Sequence, residues 1–132
     1  MKWFMDLHVA GGLVFMNLLT LFFLAVIVQF CIAGYFLFFS GDRKPILTKN
    51  LILGVIYLGG FSAVWGIMAQ GLGIWRALTA IQQAADVSPA IIIGGIKYSM
   101  ISPLYGLMIF LISSVLWFIL KTRYHSLFSV DV

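Results

Sequence analysis

The chain has 132 residues, of which 63% are hydrophobic and only 9% charged, with a formal charge of +4. Soluble domains carry roughly 45–50% apolar and 25% charged residues. A fold this small has too little interior to hide so much apolar surface, so lipid is expected to be part of its solvent. The eight basic residues are scattered between apolar runs, with no basic face interleaved with aromatics, which argues against nucleic-acid binding.

Residues 1–8 mix aromatics with single charges. Trp3 and Phe4 suit the membrane–water interface, where amphipathic rings settle. The run that follows offers no small-residue cleavage site, so it reads as a span that stays in the membrane and not as a signal peptide. This first predicted transmembrane helix covers residues 9–40, interrupted only by Asn17, Thr20 and Gln29. A span needs about 20 residues, so this one must tilt or protrude. Asn17 and Gln29 are candidates for interhelical hydrogen bonding. Cys31, the single cysteine, has no internal partner and reads as a small buried hydrophobe.

Residues 41–50 read as a loop, with Gly41 and Pro45 as punctuation and Arg43, Lys44 and Lys49 as a basic cluster. The second predicted helix covers residues 51–85 and leaves the hydrocarbon at Arg76, Gln82 and Gln83. A turn follows at 86–89. Ser88 is placed as N-cap, with Pro89 at the first helical position. The third predicted helix covers residues 90–121, with Pro103 expected to kink it, and a tail covers 122–132. The loop and tail carry five basic residues (Arg43, Lys44, Lys49, Lys121, Arg123) and the other side three (Lys2, Arg76, Lys97). Positive charge marks the cytoplasmic side, so the amino end is expected outside and the carboxyl end in the cytoplasm. The fold class expected is therefore an all-α integral membrane protein with three transmembrane helices.

Two faces stand out. The second span places Gly59, Ser62 or Ala63, Gly66, Ala69 and Gly73 at helical spacing. The third places Gly95, Ser99, Ser102, Gly106 and Ser113 likewise, with Ile109 between. In lipid, small residues let backbones approach, so plain helix packing is one reading. The other is that these faces line a passage or hold a partner helix, with serine hydroxyls assisting. Serine in a membrane helix also often bonds its own backbone. Lys97 and Tyr98 lie near the outer surface, either as a snorkelling anchor or as a charge facing a wet cavity or a partner carboxylate.

Sites of chemistry are scarce. His8 and His125 flank opposite sides of the membrane and cannot share a metal within one chain. The chain has no spaced cysteine or histidine cluster, Walker loop, nucleophile elbow or carboxylate pair. Enzyme chemistry, a cofactor and a metal are therefore not expected. The acidic residues, Asp6, Asp42, Asp86 and Asp131, all fall near ends or loops.

The segments Leu58-Gly59-Gly60-Phe61-Ser62-Ala63-Val64-Trp65-Gly66-Ile67-Met68 and Gly95-Ile96-Lys97-Tyr98-Ser99-Met100-Ile101-Ser102-Pro103-Leu104-Tyr105-Gly106-Leu107 resemble the second and third spans of the MotA/TolQ/ExbB proton-channel family. The match is strongest at Val64–Met68, Pro89, Gly95-Ile96 and Tyr105–Leu107, and spans about residues 50–121. The resemblance implies a subunit of an ion-driven motor or energiser in a bacterial inner membrane. Such subunits form a ring, typically a pentamer, around a single-span partner like ExbD, TolR or MotB whose membrane aspartate carries the proton. It also implies that Ser62, Ala63, Gly66, Ser99, Ser102, Pro103 and Gly106 face the pore or partner helix, with Lys97 and Tyr98 on the outer side.

The departures from the family pattern are specific. The family threonines fall on Ala63 and Pro103, with Ser62 and Ser102 beside them, and the ExbB/TolQ-type acid falls on Tyr98. The large cytoplasmic domain is reduced to loop 41–50. Any protonatable carboxylate in the hydrocarbon must come from another chain. Two other functions remain open at this point: a non-conducting structural subunit of a larger membrane complex, and a small transporter, against which the missing intramembrane acid counts. The motor reading asks the small faces to turn toward something another polypeptide supplies. Alanine at both Ser62 and Ser102 tests a direct role for their hydroxyls.

Overall fold

The computed structural model describes residues 13–39, 45–83 and 88–128. Outside these lie the interfacial segment with Lys2, Trp3, Phe4 and His8, all four aspartates, Arg43, Lys44 and the last residues of the tail. Every regular element is helical: α1 (Leu13–Phe38), α2 (Pro45–Gln83), α3 (Pro89–Ser99) and α4 (Ile101–Phe128). Counting α3 and α4 as one interrupted rod, three helices are long and apolar enough to cross a membrane.

The helix boundaries differ from the sequence reading in three places, each with a physical reason. First, α2 begins at Pro45, so half of the expected loop is helix. Proline fits the first helical position because its missing N–H is one that no helix start can bond. Polar Thr48, Lys49 and Asn50 therefore lie within the helix and do not mark its end. Second, the third rod breaks at Met100 between α3 and α4. Pro103 has no N–H, so the Ser99 carbonyl four residues back has no helical donor. The chain steps across the gap with Met100 N–H donating to Ile96 O at 3.2 Å and Leu104 N–H to Met100 O at 3.3 Å. Third, α4 continues past Lys121 to Phe128. At the start of α3, Ser88 holds the extended cap conformation (φ −64°, ψ 141°) with Pro89 following, but its side chain makes no capping bond.

α2 packs most extensively on α4, and α1 lies along both. The buried residues of α2 are Thr48, Ile52, Val55, Gly59, Ser62, Gly66 and Ala69. Their steps alternate between four and three, a strict seven-residue repeat and the signature of a left-handed two-helix seam. Two clusters fill in from α1. Val26 and Ala33 pack on Ile52, Val55 and Leu120. Met16 and Leu19 pack on Ile109, with Trp65 and Tyr105 at the edge. The outward sides remain apolar: Val64 is 57% exposed, Met108 61% and Leu111 66%, an arrangement suited to lipid and not to water. Cys31 belongs to this surface. The expectation of a buried thiol is thus corrected: inside an all-apolar span, sequence carries no cue separating a core face from a lipid face.

Candidate functional site: the glycine–serine seam

The small residues singled out in sequence meet each other. A Cβ added at Gly59 would stand 2.5 Å from the Ser113 Cβ. One at Gly66 would stand 2.8 Å from the Ser102 carbonyl oxygen and 3.0 Å from the Pro103 Cα. One at Gly106 would stand 2.5 Å from the Ser62 carbonyl oxygen, and one at Gly73 3.0 Å from the Ser99 Cβ. Gly59, Gly66 and Gly73 on α2 thus face Ser113, Gly106 and Ser99 across an antiparallel seam, both sets spaced by seven. Toward the other end Ile52 and Val55 replace the glycines, so side chains and not backbones fill the gap.

Five of the residues expected to face a pore or partner helix lie in this seam. Ser62, Ser102, Gly66, Pro103 and Gly106 are buried between α2 and α4 of one chain. They bring the two backbones close: the glycines and serines have small side chains, and Pro103 presents its Cα to Gly66. Ala63 sits half-buried on the flank of the seam. Ser99 is half-buried beside Gly73 at the helix break, and Lys97 and Tyr98 are exposed.

The hydroxyls serve their own helices. Ser62 Oγ donates to Leu58 O at 2.7 Å, Ser113 Oγ to Ile109 O at 2.8 Å and Ser99 Oγ to Ile96 O at 2.8 Å. Each sits in the pattern by which serine satisfies itself inside an apolar helix.

Three further features border the seam. Trp65 stacks on Phe61 (centroids 6.5 Å apart) and leans on Phe15 of α1 (6.1 Å), and its buried indole N–H has no acceptor among the described residues. Gln29 reaches from α1 onto Gly54, where a methyl group would run into its carboxamide. Gly60 and Gly71, by contrast, face open space. The glycine spacing in the sequence marks close approach, but only the fold separates the glycines of the seam from those of the open face.

Among the described residues no group of three or more His, Cys, Asp or Glu is placed to hold a metal ion. The seam is a close backbone contact flanked by apolar surface. No family model, curated protein or solved structure matches the chain.

Proposed function

We propose that the chain is the multi-pass subunit of an ion-motive-force-driven motor or energiser complex in a bacterial inner membrane. Several copies, five in the arrangement the resemblance implies, surround a single-span partner whose aspartate carries the proton. The observation that carries this reading is a juxtaposition. The two segments that resemble the MotA/TolQ/ExbB spans, read separately along the sequence, lie side by side. Gly66 of the first rests on Ser102 and Pro103 of the second, and Gly106 of the second rests on Ser62 of the first.

The seam removes one support the reading had: the small faces close on each other within one chain and do not turn to another polypeptide. The contact with a partner helix moves from the buried serines to the flank of α2, where Ala63 is half-buried and Gly60 and Gly71 are open. The described spans hold no carboxylate, so proton exchange in the hydrocarbon falls to another chain. At about 1.5 Å per residue the 39-residue α2 is about 58 Å long, roughly twice the hydrocarbon thickness. Such a rod couples events in the membrane to a structure outside it. The orientation follows the charge bias: Lys49, Lys121 and Arg123 sit on the cytoplasmic side and Arg76 and Lys97 on the outer side.

The second reading is a non-conducting structural subunit. It is favoured by the hydroxyls of Ser62, Ser99 and Ser113, each of which is satisfied by its own helix. Both readings answer to one purification. Mild-detergent extraction from the native membrane, followed by particle imaging, is expected to give a ring around central helices of a second, aspartate-bearing protein. A monomer, or a complex with no helix enclosed by copies of this chain, overturns the motor reading.

A further inference from the structure

We propose that the hollow between the first turns of α2 and the last turns of α4 binds the phosphate-bearing head of an anionic phospholipid. The hollow has a volume of about 350 Å³, with Lys49 of α2 and Lys121 and His125 of α4 at its polar side and Ile52, Leu53 and Trp117 on its apolar walls. It opens where the seam changes from glycine to larger side chains. The Lys121 ammonium lies over the Trp117 ring, 4.5 Å from its centre, a cation–π contact that holds the charge beside the hollow.

Two features point to a lipid and not to a free anion. The site lies near the ends of two candidate membrane spans, where charged side chains follow the long apolar runs. A second hollow on the other flank of Trp117, of about 400 Å³, shares Lys121 and His125 and runs onto exposed Phe118. Two hollows that share Lys121, each with an aromatic wall, fit a two-chain lipid with one anionic head. Free phosphate has no use for apolar walls. Basic pockets between helices at a membrane surface are the setting in which such heads bind.

The test uses the purified full chain, delipidated in detergent and titrated with phosphatidylglycerol or phosphatidylcholine, with bound lipid counted by native mass spectrometry. Phosphatidylglycerol is expected to bind roughly tenfold tighter than phosphatidylcholine. K49Q/K121Q should abolish the preference and K49R/K121R keep it. R76Q/K97Q, which removes the same charge from the opposite end, should leave it unchanged. Equal binding of the two lipids overturns the proposal, as does an equal loss in the two glutamine pairs. Release of phosphatidylglycerol by millimolar inorganic phosphate overturns it too, because the site would then belong to the free anion. Helicity by circular dichroism confirms that each variant is folded.

Discussion

Gly106 rests on the carbonyl oxygen of Ser62, so closely that a Cβ on Gly106 would stand 2.5 Å from it. Both groups are backbone, and neither can rotate away. Gly106→Ala must therefore push α4 off α2. It is expected to destabilise the protein by about 1–3 kcal/mol, the usual range for overpacking. Gly60→Ala is the matched control, because a Cβ there meets nothing within 4 Å. It should be neutral or stabilising by up to about 1 kcal/mol from helix propensity. Denaturation in mixed detergent micelles, followed by circular dichroism, measures both.

Gly54 is tight for a different reason. Its neighbour is the flexible end of the Gln29 side chain. Gly54→Ala should destabilise the wild-type background, and Gln29→Ala should relieve the loss. A double-mutant cycle is expected to return a coupling of about 0.5–3 kcal/mol, as for residues in contact. Additive effects would show that Gln29 swings clear at little cost.

Ser62 is wholly buried, yet its hydroxyl bonds only the Leu58 carbonyl of its own helix among the contacts resolved. Ser62→Ala should thus change stability by no more than about 1 kcal/mol, the net value of an ordinary hydrogen bond. Ser62→Leu should break the seam, because its larger side chain would meet α4 backbone. In the motor reading, the alanine variant should keep ion-driven output. Loss of output with stability intact would restore a direct role for the hydroxyl.

Pro103 holds the break between α3 and α4. Pro103→Ala supplies an N–H for the Ser99 carbonyl and keeps the Cα that lies against Gly66. The two helices are expected to merge into one straighter rod. Hydrogen exchange should report slower exchange around residues 100–104 than in the wild type. Spin labels at exposed Ile91 and Phe118 should move apart.

Cys31 faces outward seven residues before the end of the first candidate span, Val14–Phe38, and is the one thiol in the sequence. A charged maleimide cannot enter hydrocarbon. Sealed vesicles are expected to leave Cys31 unlabelled, and dissolving them in dodecyl sulfate should make labelling complete. Rapid labelling in intact vesicles would place this face against water.

The number of spans was legible because three apolar runs exceed what a soluble core of this size can absorb. The two small-residue faces were legible too, since spacing by three and four survives any packing. Their destination was not. Glycine spacing says that a backbone comes close and is silent on whose. The opposition of Gly66 to Ser102 and of Gly59 to Ser113 depends on the antiparallel register of two distant segments. Thr48 misled in the other direction: it reads as loop, yet it is buried at a seam position of α2 with only 3% of its surface exposed. Lys49 and Lys121 read as topology signals, and only folding gathers them around one hollow.

The buried positions of α2 repeat every seven residues from Thr48 to Ala69. A straight helix drifts roughly 20° per seven residues, so keeping the contact over three repeats means winding by about 60° around the neighbouring rod. The side of the pair that a neighbouring molecule meets in one leaflet is therefore rotated away in the other. Copies set edge to edge would have to lean, and the leaning would be the same for each.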